Sequence, residues 1–259
     1  PNPFCRCEHC LKARELGGKD IRTHSSAIVD DIMLIDVSPT FSYQLMRDGM
    51  DATHFESLLF THTHPDHFNV GDLFSRMEGY GFEINHPLHI FGNDRAINGC
   101  IEVLPGYSKE RFAFHCLIPF VTVERNGYKI TPLLANHAKW ELCYVYHIEK
   151  DGKVIFFGHD SGWFPELTWK WLENKPLDIV VFECTYGLNG KDRTDNHMSL
   201  ETVFAAKEKL QQQGCLHQDT QIAVSHISHS GKLLHHELEA VCAPHNIRVA
   251  YDGLTLETN

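Results

Sequence analysis

Residues 56–68 read ESLLFTHTHPDHF. The apolar run Leu58 to Phe60 has the length of a buried strand, and it runs straight into His62, His64, Asp66 and His67. On an extended backbone side chains repeat every two residues, so His62 and His64 point to the same side. Asp66 and His67 then swing in from a loop entering a helix, whose apolar positions Phe68, Leu73, Phe74 and Met77 have helical spacing. Four ligand-type residues within six positions, placed after a buried strand, are not ordinary surface composition. Imidazole and carboxylate together suit zinc, manganese or iron.

On either side of this stretch the pattern alternates between strands and helices. Before it, HSSAIVDD and DIMLIDVS read as a hairpin turning near Asp30-Asp31, and FSYQLMRDGM as a helix. After it come a strand at PLHIFGN and a helix over Asp94 to Leu104. Two hairpins follow, turning at Asn126-Gly127 and at Asp151-Gly152, the second a strong two-residue turn signal. The remainder reads helix (PELTWKWLEN), strand (LDIVVFECTY), helix with Ser199 as N-cap, strand (QIAVSHIS), helix (GKLLHHELEAVCAPH) and closing strand (IRVAYDG). Hairpins open each half and strand–helix units follow. This predicts an α/β sandwich of two sheets with helices on the outer faces, in one domain over residues 1–259.

Composition narrows the function. The net charge of −11 disfavours broad electrostatic binding to nucleic acid, which needs a basic face. A small anionic substrate fits, because bound metal inverts the local field. No apolar run reaches the ~20 residues of a membrane span. Nine cysteines, six of them scattered singly, are not a secreted disulfide framework and suit a reducing, cytoplasmic compartment. The four tryptophans, Trp140, Trp163, Trp169 and Trp171, are expected near the mouth of the site, where a homodimer could form.

Three further ligand-type residues stand at predicted strand ends: His137 in LLANHAKW, Asp160 in FFGHDSGW and His226 in AVSHISHS. A lone strand-end histidine is more often a hydrogen-bonded surface residue than a ligand; combined with HTHPDH the balance reverses. In order and rough spacing these motifs resemble the metallo-β-lactamase superfamily over nearly the whole chain. The resemblance implies an αββα sandwich and a dinuclear site: His62, His64 and His137 on one metal, Asp66, His67 and His226 on the other, and Asp160 bridging. Seven ligands exceed one four-coordinate ion, and two-metal hydrolytic sites are well suited to in-line displacement. The resemblance also makes His197, in DNHMS, the group that assists the leaving group, and places Asp66 with it in the catalytic set. Asp36 in LIDVSP is expected to orient a ligand histidine from behind. His159 is expected to point away from Asp160 if the strand is still extended there. His86, His89, His115, His217, His235, His236 and His245 have no motif around them and read as surface or packing residues.

The chain begins PNPFCRCEHC, with Cys5, Cys7 and Cys10 at a spacing that supplies most of a metal site. Structural zinc takes four protein ligands of sulfur and nitrogen type. The cluster resembles that of the PhnP-type cyclic-phosphate phosphodiesterases, and this implies a structural zinc completed by the histidine three residues after the last active-site histidine, here His229. His9, inside the cluster, is the competing donor, and a cluster without metal is the third option. Members of that branch usually begin with a strand before the cysteines, so a strand is expected upstream of residue 1, with the loss of an edge strand as the alternative.

The leading expectation is therefore a phosphodiesterase with two divalent ions, Zn²⁺ or Mn²⁺, acting on a small or cyclic phosphodiester through a metal-bridging hydroxide. A ribonuclease Z-like tRNA 3′-end nuclease is the first alternative. The 22 residues between His137 and Asp160 read as one hairpin and leave no room for a tRNA-binding arm. The second is a non-hydrolytic metal-bound accessory protein of the cofactor-biosynthesis type.

Overall fold

Cys7 is the N-cap of the first helix, α1 (Glu8–Leu16), so the cysteine cluster straddles the start of a helix, with Cys5 before it and Cys10 inside it. Glu8 and Lys12 pair one turn apart along it, and Gly17, with φ of 64°, ends it. Asp30 and Asp31, both with positive φ, then turn the expected hairpin between β1 (Ala27–Val29) and β2 (Met33–Ile35). The computed structural model describes residues 1–104, 109–190 and 195–258. They divide into two compact units, Thr23–Ile118 with Trp140–Tyr144, and Pro1–Arg22 with Pro119–Lys139 and Val145–Asn259.

The first unit carries a five-stranded sheet in the order β1-β2-β3-β4-β5, with β3 Ser57–Leu59, β4 Leu88–Gly92 and β5 Phe112–Cys116. The β2 to β5 strands run parallel. Helices α2 (Phe41–Asp48) and α3 (Asp94–Val103) complete the unit, and Leu34, Leu58, Phe60, Ile90, Ile97 and Phe112 are in its core. β5 has no counterpart in the sequence reading, because RFAFHC is short and carries no flanking turn signal. The helix expected after HTHPDH is a 3-10 helix, Val70–Arg76, of seven residues.

The second unit carries a mixed seven-stranded sheet in the order β12-β11-β10-β9-β8-β7-β6. Its strands are β6 Val123–Arg125, β7 Tyr128–Leu134, β8 Tyr144–Lys150, β9 Lys153–Gly158, β10 Leu177–Glu183, β11 Leu216–Ser225 and β12 Ile247–Val249. The predicted turns at Asn126-Gly127 and Asp151-Gly152 are both present and join antiparallel pairs. β9, β10, β11 and β12 pair in parallel, so their C-terminal ends share one edge. Helices α4 (Glu166–Leu172), α5 (Leu200–Gln212) and α6 (His235–Cys242) accompany the sheet, and the Ser199 side chain caps α5 as expected. α6 starts four residues later than its sequence suggests. Ser228 caps a short 3-10 turn over His229–Gly231, and Lys232 is left-handed with φ of 61°, which stops a helix from starting there.

Trp169 is fully buried in this unit's core, and Trp163 and Trp171 pack partly buried against it. Their indoles satisfy the demand for apolar burial, so the expectation of four tryptophans at a mouth fails; Trp140 alone of the four is broadly exposed. Two mixed sheets with helices agree with the α/β class the sequence predicts. Among the described residues no helix is long and apolar enough to cross a membrane.

Candidate metal centre

In the first unit, β3 ends at Leu59 and the chain leaves it through Thr61 and His62. The His62 and His64 rings lie 4.5 Å apart, and His62 and His67 4.4 Å apart, so the loop gathers its three imidazoles. Asp36 organises them. It is fully buried at the end of β2, in the left-handed conformation with φ of 61°. Its Oδ2 lies 2.6 Å from His67 Nδ1 and accepts at 2.8 Å from the Thr61 hydroxyl, while Oδ1 accepts from Thr61 N. A carboxylate facing Nδ1 holds the proton there and leaves Nε2 as the lone-pair nitrogen, and that nitrogen lies 3.6 Å from Asp66 Oδ2. The Thr61 proton is committed to Asp36, so its oxygen accepts from His62 Nδ1, 3.0 Å away. The same logic leaves His62 Nε2 with its lone pair. Asp36 therefore orients His67 directly and His62 through Thr61.

In the second unit the donors come from separate strand ends. His137 lies three residues beyond β7, Asp160 two beyond β9, and His226 one beyond β11. Ligands of parallel sheets gather beyond the carboxyl ends of strands for this reason. Asp160 and His226 are both left-handed, with φ of 48° and 49°. That conformation costs a non-glycine residue free energy and is characteristic of functional positions. His137 Nε2 lies 3.7 Å from Asp160 Oδ2, and His226 Nδ1 3.1 Å from Asp160 Oδ1. His137 Nδ1 donates to Asn196 O at 2.8 Å, which again leaves Nε2 for a metal. Thr185 donates its hydroxyl to His226 O and accepts from His226 Nδ1 at 2.7 Å.

His197 joins this group from the turn before α5. Its ring stacks on His226 at 5.6 Å and meets His137 edge-on at 4.9 Å. Its Nδ1 donates at 2.8 Å to Glu183 Oε1, at the end of β10. Glu183 is completely buried; burial pushes its carboxyl up from the usual range, and the His197 bond opposes that shift without reversing it. Its second oxygen accepts from Thr185 N. Sequence reasoning did not single out Glu183 or Thr185. The available signal was a lone carboxylate closing the apolar run LDIVVF, since a buried charge demands a partner.

The extended strand on which the His159 expectation depended does not reach that residue. β9 stops at Gly158, and the left-handed turn at Asp160 ends the alternation that would have pointed His159 away. The ring is buried instead and meets His226 edge-on at 5.1 Å.

The cysteine cluster lies wholly within the second unit. One ligand atom from each of Cys5, Cys7, Cys10 and His229 can be chosen so that all lie within 4.8 Å of one another. Ligands at 2.0–2.3 Å from zinc stand roughly 3.5–3.8 Å apart in a tetrahedron, so small side-chain shifts suffice, and the S₃N donor set is of the structural zinc type. Cys7 and Cys10 share a face because one caps α1 and the other lies one turn inside it. His229 Nδ1 sits 3.7 Å from Cys7 Sγ, and this contact is the largest cause bringing the Cys7 thiol down to about 6. Burial pushes Cys10 the other way. His9 does not belong to this donor group. The His229 turn is held close to the segment after β10, where Gly187 and Gly231 pass so tightly that a Cβ on Gly187 would stand 2.7 Å from Gly231 Cα.

Comparison with known proteins places this geometry in context. The family model of the beta-lactamase superfamily domain matches residues 32–217. No curated protein matches the chain significantly. Among solved structures, a diphosphatase of the PhnP family superposes with a TM-score of 0.75 at 24% identity, over 100% of this chain and 92% of that one. Zinc-bound PqqB from Methylobacterium extorquens gives 0.73 at 17% identity, over 99% and 95%. The short form of human tRNase Z gives 0.65 at 14% identity, over 92% and 93%. These likenesses establish a shared fold. The matched family covers most of the chain, including the HTHPDH loop, His137, Asp160 and His197, and the chain belongs to the metallo-β-lactamase superfamily.

Proposed function

We propose that the protein is a metal-dependent phosphodiesterase acting on a small or cyclic phosphodiester, in the manner of the PhnP-like branch. The superfamily supports the coarser statement, a metal-dependent hydrolase. The observation that carries the finer one is the His197–Glu183 pair, a histidine beside two ligand-type residues, Asp160 and His226, with a buried carboxylate behind it. Such a pair suits transfer of a proton to an alkoxide leaving group.

His62, His64 and His137 are proposed to hold one divalent ion, Asp66, His67 and His226 the other, and Asp160 both. The donor set fits Zn²⁺ or Mn²⁺: imidazole nitrogens whose Nδ1 protons are already engaged, and two carboxylates. When bound, such a pair provides hydroxide at neutral pH and neutralises charge developing on phosphoryl oxygens. The chain's own residues supply the rest. Asp36, Thr61, Asn196 and Thr185 fix the tautomers of the ligand histidines. Glu183 stabilises the protonated form of His197, whose Nε2 then donates to the departing oxygen. Asp66 is proposed to belong with His197 to the catalytic set. Cys5, Cys7, Cys10 and His229 are proposed to hold a structural zinc that fixes α1 against the segment following His226.

The deciding experiment is a metal-reconstituted screen across bis-aryl, cyclic and sugar phosphodiesters. Turnover of a small or cyclic diester, lost in H197A with metal content unchanged, is the expected result. No turnover by the fully metallated protein would instead favour an accessory role, and tight, salt-sensitive tRNA binding would favour a nuclease.

A further inference from the structure

Trp140 is a large aromatic side chain left 63% exposed, and its indole stands beside a proposed metal ligand: its ring centroid is 5.5 Å from that of His64, at an interplanar angle of 51°. The tilted contact uses only part of the ring and leaves much of it open to solvent. Its backbone is not free to wander. The next residue, Glu141, accepts from Thr63 N through both carboxylate oxygens, at 3.2 and 3.1 Å, and from the Thr63 hydroxyl at 2.8 Å. Glu141 Oε2 also accepts from Asn93 Nδ2 at 2.9 Å, and the same amide donates to Leu142 O at 2.6 Å. Asn93 is itself immobilised, because its Oδ1 caps α3 by accepting from Ala96 N. A carboxylate committed to the residue between His62 and His64, and an N-cap asparagine committed to that carboxylate and to the next carbonyl, Leu142 O, hold the residue that follows Trp140 in register with the ligand loop. Exposed tryptophan fastened this way resembles a binding platform more than a packing residue. A rigid indole offers large contact area at small entropic cost and stacks on planar rings of any sequence or substituent.

We propose that Trp140 determines specificity in this hydrolase, its indole forming the platform on which a planar ring of a phosphate ester, a nucleobase or an aryl group, stacks beside His64. The inference rests on the phosphodiesterase reading for its substrate class, but its test does not need turnover. The full, metal-loaded chain is titrated with adenosine 5′-monophosphate, phenyl phosphate and ribose 5-phosphate, following tryptophan fluorescence and binding calorimetry.

Wild type is expected to bind the ring-bearing phosphates about tenfold more tightly than ribose 5-phosphate, within the range aromatic stacking provides, with quenching of indole emission. W140A is expected to erase that preference and W140F to keep most of it. Adenosine 5′-monophosphate bound better than phenyl phosphate would identify the ring as a base; the reverse order would identify an aryl group. Equal affinities in wild type overturn the proposal. So does a preference that survives in W140A, or a W140A effect equal for all three ligands, which would mean that Trp140 only supports His64. A W140A shift from dimer to monomer without loss of ring preference likewise overturns it, in favour of an interface. A protein that shows the ring preference yet hydrolyses no diester would retain Trp140 as a platform while losing the proposed reaction, so the two failures are distinguishable.

Discussion

The HTHPDH loop and the group formed by His137, Asp160, His197 and His226 offer the same donor types but are built by opposite means. In the loop, four ligand-type residues occupy six consecutive positions, and one buried carboxylate, Asp36, organises His67 directly and His62 through Thr61. The second group is drawn from four places spread over residues 137–226, and each histidine has its own support: Asn196 O for His137, Glu183 for His197 and Thr185 for His226. A contiguous site has local chemistry and one shared brace. A dispersed site depends on strand ends lying on one edge, and on a left-handed residue at Asp160 and another at His226 to turn the donors inward. The first should fail as a unit when its brace is cut; the second should fail one function at a time.

The largest effect is expected in the dispersed group. Exchanging His197 for Ala should lower kcat by about 10²–10⁴-fold, the span of general acid catalysis, with metal content by mass spectrometry unchanged. Lost metal in that variant would show that His197 is a ligand, and would break the distinction between supporting and binding histidines. Glu183→Gln keeps the shape but removes the charge behind His197. A loss of roughly 10–100-fold in kcat is expected, the worth of a hydrogen bond to a charged group. Because the two residues would act as a unit, the double variant should be little worse than H197A alone.

For the contiguous loop, Asp36→Ala removes the common brace. Metal affinity measured by chelator competition should fall about 10–100-fold, as for other carboxylates behind metal-bound histidines. An unchanged affinity would show that the loop holds its tautomers without Asp36.

The smallest effect concerns a histidine with no metal role. His147, on β8, is buried against Trp171 with ring centroids 4.9 Å apart, and burial brings its pKa down to about 4. The unfolded chain, with a histidine near 6.5, takes up the proton first as pH falls. Stability from this residue is therefore present above pH 6.5 and lost as pH falls toward 4, by about 2 kcal/mol between pH 7 and 5. Denaturant unfolding at those two pH values should show a steeper loss in wild type than in His147→Gln. Identical slopes would mean that His147 takes up its proton alike in the folded and unfolded chain, and that burial does not lower its pKa.

Much of the architecture was legible because it is local. The hairpin turns at Asp30-Asp31, Asn126-Gly127 and Asp151-Gly152 each announce themselves by residues that tolerate positive φ. β5 escaped because five residues without flanking turn signals are too short to show a period. Glu183 escaped because its partner, His197, lies 14 residues away and no local pattern links them.

The sequence by itself determined the donor chemistry: which residue types could bind a divalent ion, that HTHPDH sets four of them within six positions, and that three thiols stand close together near the N-terminus. Side-chain type and short spacing carry that information, and neither depends on what is distant along the chain. Tertiary structure alone decided that Glu183 stands behind His197, that His159 turns toward His226, that His229 rather than His9 meets the thiols, and that Trp140 is open while Trp169 is buried. Those outcomes follow from parallel strand order and from a few left-handed residues at strand ends. They are set by backbone geometry summed over the whole sheet, which no short window of sequence contains.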